Sequence, residues 1–158
     1  MGRGDADVML KEIGTYLQSQ GVGTLGADLF LGLMPDQPDN CIALFEYAGS
    51  PPDLHWNGEY PGLQVRVRNK SYAAARTKIG EVAKKLHGLH EQTLSGTRYL
   101  LIKARGSPEI LKRDANNRVE LFVNFEIMLE RVDWVWNDLI GVTWGDLGYM
   151  IWRNFTRR

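Results

Sequence analysis

The stretch Val119-Glu120-Leu121-Phe122-Val123-Asn124-Phe125-Glu126-Ile127-Met128-Leu129-Glu130 decides the fold. Val119, Leu121, Val123, Phe125, Ile127 and Leu129 are apolar at a spacing of two, while Glu120, Asn124, Glu126 and Glu130 fall on the other face. Successive strand side chains point to opposite faces, so this alternation predicts one long strand with a buried and a solvated side. At about 3.3 Å per residue it runs roughly 40 Å, the width of a small domain. A sheet must be central to the molecule, and the carboxylates are expected on its solvated face.

Just upstream, Asp114-Ala115-Asn116-Asn117 has turn chemistry, which predicts a hairpin into the last strand. Thr97 to Arg105 reads as its partner strand, broken at Ser107-Pro108, with Glu109 to Lys112 as a resumption. Upstream again lies the clearest helix. Ser71 is a good N-cap, Tyr72, Ala75, Ile79, Val82, Ala83, Leu86 and Leu89 make one apolar stripe, and Gly88 suits the stop. Leu63, Val65 and Val67 alternate with Gln64, Arg66 and Arg68, which predicts a half-buried strand with a basic outer face.

Residues 50–61 hold three prolines without periodicity and read as a long loop. Ile42 to Tyr47 and Leu29 to Met34 read as strands on either side of the turn Pro35 to Asn40. Met9, Ile13, Tyr16, Leu17 and Gln20 predict a first helix, capped by Asp5 or Asp7 and ended by Gly21. The order α-β-β-β-α-β-β predicts an α+β fold: a mixed, mostly antiparallel sheet with a long helix on one face and a further N-terminal helix. Residues 1–130 form one domain on this reading, and 131–158 a C-terminal extension that holds four of the five tryptophans, Trp134, Trp136, Trp144 and Trp152. That extension either packs back on the sheet or serves as a contact surface.

With 158 residues and 24% charged side chains the chain suits one globular domain. Its 19 basic and 19 acidic residues cancel, which excludes a bulk polycation. The cancellation conceals a segregation: residues 1–60 carry −7, residues 61–118 carry +9 and residues 119–158 carry −2. Either these segments present complementary faces, or the fold mixes them and the charge cancels locally. The single Cys41 lies in an apolar run, so no intrachain disulfide is expected. No signal-peptide h-region and no apolar run of about 18 residues is present, so folding in the cytosol without a membrane partner is expected.

Catalytic signatures are weak. His87 and His90 are three apart and His55 lies in the long loop, but no further ligand stands at metal spacing. Gly21-x-Gly23-x-x-Gly26 has the letters of a dinucleotide loop in the wrong context, after a helix and before a strand. No residues meet the logic of an active site, so an enzyme is not expected. Arg66, Arg68, Lys70, Arg76 and Lys78 surround a strand-to-helix turn, which keeps a DNA-binding module open as an alternative, though aromatic stacking partners are few.

Several motifs then fall in a consistent order: Gly23-Thr24 to Asp28-Leu29-Phe30-Leu31-Gly32, Met34-Pro35-Asp36, Pro38-Asp39-Asn40-Cys41-Ile42-Ala43-Leu44, Gly49-Ser50-Pro51-Pro52, Leu63 to Arg68, Tyr72-Ala73-Ala74-Ala75, Leu86-His87-Gly88-Leu89, Gly106-Ser107-Pro108, and Asp114 leading to Asn124-Phe125-Glu126-Ile127. In this order, residues from about 22 to 130 resemble the minor capsid and tail-completion proteins of long-tailed bacteriophages, the tail terminators or tail-to-head joining proteins. The resemblance implies a non-catalytic virion protein without cofactor, assembled in the host cytoplasm into a ring, usually of six. The ring would sit at the head-proximal end of the tail, stop growth of the tube and dock head-completion or connector proteins. DNA would at most pass through it. A head-completion or neck protein of the same virion is the alternative.

Charge segregation and this resemblance together nominate a subunit contact of Arg66, Arg68, Arg98, Lys103 and Arg105 against Asp36, Asp39, Glu46 and Asp53 of the next copy. Loop 50–61, hairpin 106–118 and the C-terminal aromatics are nominated as contacts to the tail-tube and connector proteins. Trp56, Tyr60, Arg113, Asp114, Arg118, Trp134, Trp136, Trp144 and Trp152 are the residues concerned.

Overall fold

In a computed structural model the described residues are 5–131. They comprise α1 (Asp5–Ser19), β1 (Leu29–Leu31), β2 (Cys41–Ser50), β3 (Gly58–Asn69), α2 (Tyr72–Leu86), β4 (Leu89–Leu94), β5 (Thr97–Ala104), β6 (Glu109–Arg113) and β7 (Val119–Glu130). These seven strands form one sheet in the order β1-β2-β3-β7-β5-β4, with β6 also paired to β7. Among them, β1 and β2 run parallel and every other pair is antiparallel. The fold is α+β, as the alternation predicts.

The strand 119–130 holds the centre. It pairs with β3 along nearly its whole length, with β5 over its second half and with β6 over its first. Its six alternate apolar residues are all buried, against Leu63, Val65 and Val67 of β3 and the apolar stripe Ala75, Ile79, Val82 and Leu86 of α2. Tyr72, at the start of that stripe, is instead half exposed. Leu10, Ile13 and Leu17 of α1 complete the core. Helix α1 touches β1 and β2 at one edge and β4 at the other, so the sheet curls and both helices lie in its concave side. Among the described residues the convex side carries no helix.

Five expectations are corrected. Helix α2 ends at Leu86 rather than Leu89, because Gly88 turns at φ +81° and its N–H donates to Ile102 O at 2.8 Å. Beyond that turn the chain forms an additional strand, β4, joined to β5 by the tight turn Ser95-Gly96, where both φ angles are positive. Loop 50–61 shrinks to residues 51–57, since β2 runs on to Ser50 and β3 starts at Gly58. Pro61 enters β3 where the register with β2 shifts, between Tyr47 and Ser50, so its missing N–H breaks no ladder bond. Glu120 does not face solvent: it is 5% exposed, opposite Arg68 in the ladder and 3.6 Å from Lys112 Nζ. The strand expected over 29–34 is confined to Leu29–Leu31.

Candidate interaction surfaces

The nominated residues separate into three places. The first is a clasp on the turn between β1 and β2. Arg68, on β3, is 4% exposed. Its Nη2 approaches the carbonyls of Pro35, Asp36 and Pro38 at 2.6, 3.1 and 2.8 Å, and Nε that of Asp39 at 3.3 Å. Arg118, also buried, enters β7 beside it. Its Nε donates to Asp114 Oδ2 at 2.7 Å, Nη2 to Asp36 Oδ1 at 2.7 Å, and Nη1 to Asp39 Oδ1 at 3.1 Å. Lys70 adds an ion pair to Asp39 at 2.7 Å. The Lys70 ammonium holds the Asp39 carboxyl below its ordinary range, and the Arg118 backbone N–H does the same for Asp114. Arg118 is pushed up by Asp36 and Asp114. Here the acidic first third and the basic middle of the chain neutralise each other within one subunit. Arg113 donates to Asn117 beside the clasp.

The second place is the convex sheet face. Gln64 and Arg66 of β3, Phe45 and Tyr47 of β2, and Asn124 and Glu126 of β7 share it by register. The Arg66 guanidinium lies 4.6 Å from the Phe45 ring centroid and donates through Nε to Gln64 Oε1 at 2.6 Å. Arg105 pairs with Glu126 at 3.3 Å. Lys103 is exposed opposite Glu126 in the ladder. A groove of about 380 Å³ crosses this face, lined by Tyr47, Tyr60, Pro61, Leu101, Lys103, Arg105 and Met128 among others. Two glycines make its floor: a methyl on Gly49 would meet the Tyr60 carbonyl, and one on Gly62 would meet the Tyr47 ring.

The third place is the tip formed by 51–57 and the β4–β5 end. Leu54 is 89% exposed there. Trp56 packs edge-on against Tyr60, with centroids 6.4 Å apart. Asp53 accepts the His55 N–H at 2.8 Å, which lowers its pKa. Arg98 bridges Glu91 and Glu130 at 2.7 and 2.8 Å. Glu46 lies on β2, half-buried. Trp134, Trp136, Trp144 and Trp152 lie outside the described residues.

His87 Nδ1 accepts the Ala104 N–H and His90 Nδ1 lies 2.9 Å from Gly88 O, so both imidazoles serve the backbone locally. Among the described residues no group of three or more His, Cys, Asp or Glu could hold a metal ion. Cys41 is buried, and burial pushes its thiol up. The site residues that sequence reasoning missed are the groove glycines Gly49 and Gly62 and the apolar Leu101 and Met128. Gly49 and Gly62 fall just outside the predicted strands, next to the loop 50–61, so the pattern marked them as strand ends and not as a groove floor.

An α+β domain with a covered core and charged surface sites does not by itself assign a function. Residues 16–131 match the family model described as bacteriophage tail terminator protein, and the chain belongs to that family. It is a structural protein of the phage tail. Among solved structures the fold is similar to a chain from the "Virion of native gene transfer agent (GTA) particle", with a TM-score of 0.60 and 14% identity, covering 75% of this chain and 91% of that one. No curated protein matches the chain in sequence.

Proposed function

We propose that the protein forms a ring, of six copies on the family's pattern, at the head-proximal end of the tail, where it stops tube growth and joins the tail to the head. Membership of the tail terminator family over residues 16–131 carries this reading. The geometry supports it with a sheet whose convex face is charged and, among the described residues, uncovered by helices, which leaves that face open to a head-to-tail contact. Arg66 and Arg98 face Glu46 and Asp53 of the next copy, with Lys103 and Arg105 beside them on the same sheet face, while Arg68, Asp36 and Asp39 hold the clasp that shapes the rim of that contact. Leu54, Trp56 and Tyr60 at the tip, with the exposed hairpin residue Arg113 at the opposite end of the sheet, present the ring to tube and connector proteins, while Asp114 and Arg118 are taken up by the clasp and shape that hairpin from within. No catalytic step and no cofactor enters this function.

Electron microscopy of particles assembled without the protein tests the proposal. Overlong tails together with tailless heads are expected. Tails of normal length beside leaking heads would instead assign the protein to head completion. A steep loss of DNA affinity with salt in a filter-binding titration would favour the DNA-binding alternative.

A further inference from the structure

We propose that the convex-face groove seats the chain's own segment 132–152, so that the tryptophan-rich C-terminal extension closes the sheet of its own subunit. Three observations converge on this occupant. The groove is apolar on its walls, at Tyr47, Leu101 and Met128, and its rim carries Lys103 beside the ion pair of Arg105 with Glu126, which leaves one uncompensated positive charge. Lys103 has no hydrogen bond or ion pair among the described residues, and Leu101 is 38% exposed despite sitting in a central strand. Segment 132–152 is the complementary chemistry: four tryptophans, three aspartates (Asp133, Asp138 and Asp146) and no lysine or arginine. Indole rings bury large apolar areas and stack with cations, so an acidic, aromatic peptide suits such a site.

The point of exit supplies the third argument. Arg131 is fixed beside the start of β3, with its N–H donating to Asn57 O at 3.1 Å and its Nε 3.3 Å from Glu59 Oε2. Tyr60, the next residue after Glu59, already lines the groove. A tether this short gives the segment an effective concentration in the millimolar range, which favours the subunit's own groove over a neighbour's. The groove volume of about 380 Å³ is at the lower end for ligand pockets and accommodates a large aromatic side chain. On this assignment Lys103 and Arg105 serve the chain's own extension, and Arg66 and Arg98 are left for the neighbouring subunit. The proposal does not rest on the tail function, because it concerns the free full-length chain.

The test is photo-crosslinking of the full-length protein at low concentration, with a benzophenone amino acid in place of Leu101 and, in a second protein, in place of Met128. Peptide mass spectrometry is expected to find cross-links within one chain to peptides from 132–152. Combining the probe with Lys103→Glu and Arg105→Glu is expected to lower that yield at least about fivefold. Cross-links only between chains would overturn the assignment in favour of a second copy. Cross-links from both positions that miss 132–152 would overturn the docking itself. The particle assay of tail length is unaffected by either result.

Discussion

At the scale of single residues, the least expected polar group is Glu12, a carboxylate 4% exposed inside the core. It sits on α1 and accepts Thr97 Oγ1 at 2.7 Å and Tyr99 Oη at 2.6 Å, both from β5. A buried charge is tolerated only when donors replace the water it loses. Here the two hydroxyls do so and also fasten α1 to the sheet. Burial and the Glu12 carboxylate push the Tyr99 phenol up, which keeps it a donor throughout the neutral range. Tyr99→Phe keeps the ring and removes one of the two donors. It is expected to lower the unfolding free energy in urea by about 1–3 kcal/mol, the cost of an under-bonded buried carboxylate. Thr97→Val in the same background is expected to cost less than the sum of the two single changes, since both act on one carboxylate. Strict additivity would show that the pair does not act on a shared group.

At the scale of elements, the clasp on residues 35–40 explains how a turn with two prolines and two aspartates holds one shape. Arg68 and Arg118 gather its carbonyls and carboxylates, and Asp114 closes the set from the β6–β7 turn. Asp39 and Asp114 both have depressed pKa values in the folded chain. Their contribution to stability is therefore present above the ordinary carboxylate value near 4 and is lost as pH falls through the folded values. Asp114→Asn removes one titrating partner of Arg118. The variant is expected to melt lower than the parent at pH 7, and the gap is expected to narrow as pH falls below about 4. A gap that stays constant from about pH 7 to about pH 3 would exclude ionised Asp114 as the source. Much of this level was legible in the sequence. Period two exposed β7, and Ser71 with the stripe at 75, 79, 82 and 86 exposed α2. Strand β4 was not legible because His90, Glu91, Gln92 and Thr93 form a polar edge without alternation, and only the Ser95-Gly96 turn betrays it. Arg68 reads locally as one more outward cation; its burial depends on a turn 29 to 33 residues away, which no local pattern encodes.

At the scale of the whole molecule, the zero net charge is the sum of cancelled and uncancelled parts. The clasp neutralises Asp36, Asp39 and Arg118 within the subunit and surrounds Arg68 with backbone carbonyls, whereas Arg66 on the convex face is held only by a ring and an amide. If the ring proposed for this protein uses that face, its contact is electrostatic at the rim and repeats at every interface. A single exposed ion pair contributes only about 0.2–1 kcal/mol, too little for one substitution to break a subunit contact. Reversal differs from removal, because like charges placed against each other repel as well as lose their attraction. Repetition around a closed ring multiplies the effect by the number of contacts. Arg66→Glu with Arg98→Glu is therefore expected to shift the solution mass from a ring to single subunits at micromolar protein, with the melting temperature of the subunit lowered by the lost Arg98 pairs to Glu91 and Glu130, and Arg66→Glu alone is expected to shift the mass in the same direction with the melting temperature little changed. Raising salt from about 0.05 to 0.5 M is expected to do the same to the parent protein in part, since the Debye length falls well below the spacing of rim charges. A double variant with the parent's mass distribution at low salt would remove charge pairing from the contact.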